Sequence, residues 1–327
     1  MDKKISIVVS VYNEAPVLEK FYAETKKVLD NCNGDYEIIF VNDGSYDSSI
    51  LLLEKFADAD SKVKIVDFSR NFGHEAAMIA GIDHAEGDGI ICMDADLQHP
   101  PECIPEIIEK FEEGYDVISM VRTENKSAGI IKKITSAAFY KILNIFSPVK
   151  FEANSSDFFA ISSSVADVLR KNYREKIRYL RGYVQSVGFN KTTLQFKASP
   201  REAGESKYSI KKLVMFSVNT LCSFSDFPLK LGIYSGCAVG CLGVVLMIYT
   251  LINKFIYDVP GGYTTIVVAL CFLFTVLLFV IGIIGQYISI LFREIKDRPI
   301  YIVKKVISKD KKENENTNEP DISHDKQ

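Results

Sequence analysis

The sequence of 327 residues contains no tryptophan, only four histidines and seven cysteines. The cysteines show no CxxC or Cys/His spacing, which is the usual sequence signal of a zinc site or a thiol redox centre. We therefore expect no structural zinc, no disulfide framework and a reducing compartment. The formal net charge is −3, so no excess of positive charge attracts nucleic acid, and no nucleic-acid partner is predicted.

Long uncharged runs are missing from the first part of the chain and are concentrated after residue 228. Leu231 to Ile252 and Tyr263 to Phe292 hold no charged residue, and a helix needs about 20 apolar residues to cross a bilayer. We therefore predict a multi-pass membrane protein with two transmembrane helices. Basic residues flank the pair on both outer sides, which predicts that the large N-terminal region and the C-terminal tail are cytoplasmic. No signal peptide is expected, because Met1 to Lys4 lead directly into a strand pattern.

These features divide the chain into four predicted parts. Residues 1–208 form a cytoplasmic domain, and 209–228 form an amphipathic helix at the membrane interface with its linker. Residues 229–292 form the transmembrane pair. Residues 293–327 form a basic juxtamembrane segment and, from Ser308, a charged and disordered tail.

The N-terminal domain alternates short apolar runs with helical patterns. Such alternation predicts an α/β fold built on a mostly parallel sheet with right-handed crossovers. Polar residues follow each apolar run, so we expect them to gather at the carboxyl ends of the strands, where α/β proteins bind ligands. The predicted strands are Ile5–Val11, Tyr36–Val41, Val63–Phe68, Ile90–Met93, Tyr115–Val121 and Phe158–Ile161.

The segment from Gly89 to Glu102 reads GIICMDADLQHPPE and is the centre of the functional prediction. Asp94 and Asp96 end an apolar run, and on an extended backbone their side chains point the same way. Adjacent carboxylates repel unless a cation lies between them. A hard divalent ion such as Mg²⁺ or Mn²⁺ is the natural partner, with substrate phosphates as further ligands. A lone Asp-x-Asp is more often a solvated turn, but its place at the end of a buried strand favours the metal site.

Four motifs occur in order: VSVYNE at Val9–Glu14, VNDGS at Val41–Ser45, SRNFGHEAA at Ser69–Ala77 and DADLQHPPE at Asp94–Glu102. Together with two C-terminal apolar spans, they resemble inverting family 2 glycosyltransferases that act on polyprenyl phosphates. This group is related to dolichol-phosphate mannose synthase and includes the bacterial undecaprenyl-phosphate (bactoprenol) glucosyltransferases. The resemblance extends to about Pro299 and implies a GT-A fold, a Rossmann-like nucleotide-binding sheet.

The resemblance also implies roles for individual residues. Asp96 would be the metal ligand, with Asp94 as a ribose or second metal contact and Gln98 close to the sugar or acceptor. Asp157, in SSDFFAIS, matches the position of the catalytic base or acceptor-positioning carboxylate. Because a phosphate acceptor is already largely ionised near pH 7, positioning is the larger expected contribution. The base and ribose of the sugar nucleotide would be held by Tyr12, Asn13, Glu14, Asn42 and Asp43.

Basic residues after residue 170 are candidates for the acceptor phosphate, because arginine binds phosphate through paired hydrogen bonds. Arg201 and Lys207 lie in REAGESKYS, which resembles the R-x-x-G-x-S-K-Y segment of the group. Arg178 and Arg181 match a second basic stretch, for which a solvated or headgroup-facing surface is an equal alternative.

Several positions depart from the pattern of the group. Asn42 replaces an aspartate of the usual DDGS, His74 stands where many members have lysine, and His99 stands where many have a second aspartate. RTENKSAG, from Arg122 to Gly129, lacks an Asp-Arg pair. These departures leave the nucleotide and the sugar open.

The predicted function is transfer of a hexose or N-acetylhexosamine from a UDP-linked donor to undecaprenyl phosphate, at the cytoplasmic face of the bacterial membrane, for modification of an envelope polymer. One alternative is an inactive membrane subunit that senses nucleotide sugars. Another is a polysaccharide synthase, which is disfavoured because its QxxRW motif needs tryptophan. Small residues at Gly232, Gly236, Gly240 and Gly243 would permit a homo-oligomer through close helix packing.

Overall fold

The computed structural model describes residues 4–123, 155–176, 178–198, 227–256 and 262–309. The chain divides into two compact units. Of the described residues, those of 4–198 and 299–309 form the first, here called the sheet unit, and 227–298 form the second, the helical unit. The predicted helix at Thr123–Pro148 beyond its first residue, the loop with Arg201 and Lys207, the interfacial helix and the tail after Lys309 lie outside the described residues.

The sheet unit is an eight-stranded sheet with helices between its strands, which confirms the α/β prediction. The strand order is β7-β5-β6-β4-β1-β2-β3-β8. The strands are β1 Ile5–Val11, β2 Tyr36–Asn42, β3 Val63–Phe68, β4 Gly89–Asp94, β5 Val117–Arg122, β6 Ser155–Ser162, β7 Lys191–Phe196 and β8 Val303–Ile307. The helices of this unit are α1 Ala15–Asp30, α2 Ser49–Ala59, α3 His74–His84, α4 Ile104–Glu112, α5 Ser163–Asn172 and α6 Leu180–Ser186.

The sheet is mixed: four of the seven pairs among the described strands are parallel, and the three antiparallel pairs were not predicted. Strands β1 to β4 pair in parallel, as do β5 and β7. Strand β6 runs antiparallel to both of its neighbours, β4 and β5, and β8 runs antiparallel to β3. An apolar run has the same pattern in either direction, so the sequence indicated that β6 is a strand but not which way it runs.

Strand β8 was not predicted, because VKKVI lies in a range assigned to a basic segment. The structure adds this short strand to the free edge of β3. Its lysines are exposed, and lysine is common on edge strands because it discourages further pairing. The chain beyond the second apolar helix therefore returns to the sheet unit.

The core lies on both faces of β1, β2 and β4, whose apolar side chains are almost completely buried. On one face, α3 approaches β1 closely because residue 81 is glycine. A Cβ atom there would lie 2.1 Å from Cγ1 of Val8. This close packing fixes the N-terminus of α3, and with it His74, beside the carboxyl end of β1.

The helical unit contains α7, Phe227–Ile256, and α8, Tyr263–Ile295. Both apolar helices occur where they were predicted. Among the described residues, however, only the stretch Phe272–Ile295 is long and apolar enough to be a candidate membrane span, and a shorter apolar stretch, Leu229–Val245, lies in α7. The prediction of two spans is therefore not confirmed.

Candidate active site

The carboxyl ends of β1, β2 and β4 meet at one edge of the sheet, here called the catalytic edge. The parallel register places Ser10 opposite Asp94 and Val11 opposite Asn42. The N-terminus of α3 adds His74 to the same edge, since the Nδ1 atom of His74 lies 2.7 Å from Oγ of Ser10. Residues distant in the sequence are thus brought together as the strand pattern predicted.

The turn after β4 carries the two aspartates of the predicted metal site. Oδ1 of Asp96 accepts a hydrogen bond of 3.1 Å from the backbone N–H of Gln98, and Leu97 between them has a φ of 59°. Within the described residues, no group of three or more His, Cys, Asp or Glu side chains could hold a metal by itself. A metal at Asp94 and Asp96 would need further oxygen ligands from a substrate.

The buried side chain of His99 stabilises this turn through a hydrogen bond to its backbone. Its ring is buried, stacks on Phe158 at 5.1 Å, and its Nδ1 accepts a 2.9 Å hydrogen bond from the backbone N–H of Asp94. Burial lowers the pKa of His99, so the neutral ring can place its remaining proton on Nε2, 3.3 Å from Oγ of Ser156. His99 therefore has a structural role.

Asp157, on β6, lies at the same edge and faces two basic groups. Its Oδ1 is 2.8 Å from Nε of Arg181, and its Oδ2 is 3.9 Å from Nε2 of His74. Burial opposes ionisation of Asp157, but Arg181, and after it His74, hold its pKa below the ordinary value. The carboxylate is consequently ionised at neutral pH.

His74 lies between the two carboxylate groups of the edge. Nδ1 is 3.5 Å from Oδ1 of Asp94, and Nε2 faces Asp157. Burial works against the charged form, yet Asp94 and Asp157 raise the pKa of His74. From the sequence, His74 was only a departure from a family pattern; its place between the carboxylates required the fold.

Two of the three arginines predicted to bind phosphate, Arg178 and Arg181, lie near this edge. Arg181 is on α6, whose first backbone N–H, at Leu180, donates a 2.8 Å hydrogen bond to Oε2 of Glu75. Arg178 precedes α6 and donates a 3.4 Å hydrogen bond to the carbonyl of Phe72. Glu75, which positions α6, was not identified from the sequence; its position directly after His74 was the available signal.

Asn42 and Asp43, predicted to contact the nucleotide, are each only 2% exposed and bind other parts of the protein. The amide of Asn42 donates a 2.7 Å hydrogen bond to Asp67. Asp43 accepts hydrogen bonds from the backbone of Phe72, at 2.6 Å, and of Gly73, at 3.0 Å. Burial raises the pKa of Asp43, although these bonds oppose the shift. In this structure Asp43 holds the loop that leads into His74, and Asn42 connects β2 to β3.

The predicted nucleotide residues Tyr12, Asn13 and Glu14 form the loop after β1. Asn13 has a positive φ of 56°, and its side chain accepts a 2.9 Å hydrogen bond from the backbone N–H of Tyr46. The backbone N–H of Glu14 donates to Oγ of Ser49 at 3.1 Å. Tyr12 and Tyr46 are in edge-to-face contact at 5.6 Å. Tyr46, 80% exposed, is a further aromatic group at the site that was not predicted from the motifs.

The opposite edge of the sheet carries a cavity of about 590 Å³ with many charged residues. Its charges are paired: the buried carboxylate of Glu37 lies 3.6 Å from Lys4 and 3.3 Å from Lys64. The catalytic edge, where Asp94 and Asp157 lie on either side of His74, is therefore the better candidate despite the size of this cavity. Arg201 and Lys207 are outside the described residues.

Comparison with known proteins agrees with the resemblance in the motifs. Residues 6–170 match the model of Glycosyl transferase family 2, and residues 227–291 match the GtrB C-terminal hairpin. The chain is 43% identical to an uncharacterized glycosyltransferase, YkcC, of Bacillus subtilis, over 92% of this chain and 93% of that protein. It is 36% identical to the SfII prophage-derived bactoprenol glucosyl transferase of Shigella flexneri, over 92% of this chain and 98% of that protein.

Among solved structures, glucosyl-3-phosphoglycerate synthase of Mycobacterium tuberculosis, in complex with Mn²⁺, UDP and product, matches 68% of this chain and 80% of that one, with 15% identity and a TM-score of 0.46. The family match spans half of the chain, and the sequence relatives cover nearly all of it. The mixed α/β sheet is of the GT-A type expected of such enzymes. This protein is therefore a glycosyltransferase and belongs to Glycosyl transferase family 2, with a GtrB-type C-terminal hairpin.

Proposed function

We propose that the enzyme transfers a sugar, with inversion, from a nucleotide sugar to a polyprenyl phosphate such as undecaprenyl phosphate. The observation that carries this proposal is the catalytic edge, where Asp94 and Asp157 lie on either side of His74. Asp94 is suited to a donor diphosphate that carries a metal ion. Asp157, beside Arg181, is suited to an anionic acceptor. Relatives named bactoprenol glucosyl transferase, 34 to 36% identical over at least 92% of this chain, support the lipid acceptor.

The donor end of the site would be formed by the first, second and fourth strands. Asp96 and Asp94 offer hard oxygen ligands, which fit Mg²⁺ or Mn²⁺ when diphosphate oxygens complete the coordination. A bound ion would neutralise the diphosphate as it leaves. Tyr12, Asn13 and Glu14, with Asn42 and Asp43 behind them, would hold the base and ribose of a UDP-linked hexose or N-acetylhexosamine.

The acceptor end would be formed by Asp157 and basic residues. Because Arg181 keeps Asp157 ionised and the phosphate is itself ionised, we assign Asp157 to positioning rather than to proton removal. The phosphate oxygen would attack the anomeric carbon as the bond from that carbon to the diphosphate breaks. Gln98, in the turn after β4, would orient the sugar or the acceptor. Arg178, Arg201 and Lys207 would add positive charge.

The proposed location is the cytoplasmic side of the bacterial cytoplasmic membrane, with the helical unit as a two-span anchor. Phe272–Ile295 meets the length and composition of a span, and α7 contributes a second apolar helix. A polyprenyl phosphate presents its phosphate at the headgroup level, so an anchored enzyme would meet its acceptor at a high effective concentration. The proposed division remains a cytoplasmic domain at 1–208, an interfacial helix and linker at 209–228, a transmembrane pair at 229–292 and a juxtamembrane segment and tail at 293–327. Of that last part, the described residues 299–309 belong with the sheet unit. The lipid-linked sugar would serve envelope polymer modification.

The test is transfer of radiolabelled sugar into an organic-extractable lipid by the purified full chain. Undecaprenyl phosphate, Mg²⁺ or Mn²⁺, and UDP- and GDP-sugars are supplied in turn. We expect labelled lipid from one donor, loss of product with EDTA, and at least about a hundredfold loss with Asp96→Asn. Glu19→Gln, a matched change at an exposed carboxylate on α1, is expected to have no effect.

Product that persists at the wild-type rate in Asp96→Asn would contradict the metal assignment. Absence of lipid product from every donor, with nucleotide binding retained, would replace the enzymatic proposal with the sensing-subunit alternative.

A further inference from the structure

The two ring nitrogens of His74 differ in their hydrogen bonding. Nδ1 lies 2.7 Å from Oγ of Ser10. Nε2 is buried, and among the described residues it has no hydrogen-bond partner. Its nearest carboxylate oxygen, on Asp157, is 3.9 Å away, which is beyond hydrogen-bonding distance. A buried donor without a partner is unfavourable, so this atom indicates a missing ligand.

The nitrogen that faces Asp157 carries a proton in the arrangements that the contacts favour. If the hydroxyl of Ser10 donates to Nδ1, the neutral ring holds its proton on Nε2. If the ring is charged, both nitrogens carry protons. The other neutral tautomer, with its proton on Nδ1, would turn the lone pair of Nε2 towards the carboxylate of Asp157, and two facing acceptors repel each other. A protonated Nε2 directed towards Asp157 is therefore the arrangement that this geometry favours.

The ligand that would accept this hydrogen bond must carry an oxygen and tolerate the adjacent carboxylate. Asp157 already faces Arg181 at 2.8 Å, so a group placed here would have basic side chains on two sides. A phosphomonoester has three acceptor oxygens and needs such a setting to offset repulsion from Asp157. The donor diphosphate is the other possible source of phosphate, but it is expected at Asp94, on the Nδ1 side of the ring.

We propose that His74 binds the acceptor: its Nε2–H donates a hydrogen bond to a phosphate oxygen of the polyprenyl phosphate, which lies beside Asp157 and Arg181. Ser10 acts as a positioning residue by holding Nδ1. This assignment rests on the proposed function and adds an acceptor-binding residue to it.

The test compares two amides that replace different nitrogens of the ring. In His74→Asn the amide lies near the position of Nδ1 and the Nε2 donor is lost, whereas in His74→Gln the amide reaches the position of Nε2. We expect His74→Asn to raise the KM for polyprenyl phosphate about tenfold, His74→Gln to retain most of the wild-type value, and both to leave the KM for the nucleotide sugar within about twofold. Binding of a short-chain polyprenyl phosphate to the full chain in detergent, measured by calorimetry with UDP present, should follow the same order.

His84→Asn is the matched control, because His84 ends the same helix at the opposite edge and its Nδ1 lies 2.8 Å from the carbonyl of Ala80. It should leave both KM values unchanged. Thermal unfolding of each variant separates misfolding from loss of binding; if His74→Asn unfolds at lower temperature, Ser10→Ala, with an expected two- to fivefold rise in the acceptor KM, carries the test.

A rise in the donor KM instead of the acceptor KM, or equal losses in the asparagine and glutamine variants, would overturn the assignment. If the wild type transfers sugar to polyprenyl phosphate while His74→Asn keeps its acceptor KM, only this inference fails. If the wild type makes no lipid product, the proposed function fails and the inference with it.

Discussion

Charged side chains lie at both edges of the sheet, but their hydrogen bonds and ion pairs differ between the two. At the edge opposite the site, Glu37 accepts hydrogen bonds from Ser6 at 2.6 Å and from the backbone of Glu86 at 2.8 Å, and lies near two lysines. At the catalytic edge, the carboxylates lie around His74, whose Nε2 has no hydrogen-bond partner among the described residues. Charge density alone therefore does not identify a site; polar groups left for a ligand do.

The largest expected effect follows from removing the main cation at the catalytic edge. Arg181→Gln should lower kcat/KM at pH 8 by about a hundredfold, because a charge-assisted contact to Asp157 and to the acceptor is lost. Without Arg181 the pKa of Asp157 rises, so the remaining activity should fall further as the pH is lowered towards 5.5, where the wild type keeps an ionised Asp157. The measurement is the pH profile of initial rates.

Arg174→Gln is the control for that change, because Arg174 pairs with Asp83 at 2.9 Å elsewhere in the sheet unit. It should leave kcat/KM and the pH profile unchanged. Parallel pH profiles for Arg181→Gln and the wild type would show that Arg181 does not control Asp157.

The same kind of change at the opposite edge should affect stability and not activity. Glu37→Gln leaves Lys4 and Lys64 without their buried carboxylate, and breaking such a group costs about 3 kcal/mol. We expect thermal unfolding about 6 °C lower, with both KM values unchanged below that temperature. A large fall in kcat/KM for the folded variant would mean that the two edges are coupled.

Gly81→Ala should lower both stability and activity, because α3 runs from His74 at the catalytic edge to His84 at the opposite edge. The new Cβ would overlap Val8, and overpacking of this kind costs about 2 kcal/mol. The shift of α3 should also displace His74 and lower activity about tenfold. Unfolding and initial rates are measured together.

The double variant Val8→Ala with Gly81→Ala provides space for the methyl group and should recover most of the activity. If the double variant recovers its stability but not its activity, the packing of α3 against β1 does not determine the position of His74.

The smallest effect is expected at Tyr301, just before β8. Tyr301 stacks on Phe68 at 5.1 Å and donates a 2.6 Å hydrogen bond to Asp83. Tyr301→Phe keeps the ring and loses the hydroxyl, so we expect a loss of about 1 kcal/mol in unfolding free energy and unchanged kinetics. Unfolding by denaturant is the measurement, and a change in either KM would argue that the contacts of Tyr301 affect the site.

Much of the sheet could be predicted from local pattern. The runs Ile5–Val11 and Val63–Phe68 are strands with the predicted bounds, because buried strands need continuous apolar side chains on both faces. The Asp94–Asp96 pair was located by the abrupt change from apolar to acidic residues at a strand end. Asp157 and Arg181 were found only through resemblance to a family, since neither has a distinctive local pattern.

What the sequence by itself determined is the order of elements, the acidic turn after β4 and the apolar C-terminal helices, because each depends on neighbouring residues. Tertiary structure alone decided that β6 is antiparallel, that VKKVI closes an edge, and that Asn42 and Asp43 are bound by the protein. It also placed His74 between carboxylates that lie about 20 and 80 residues further along the chain. Such contacts follow from strand order and helix packing, which no local pattern encodes.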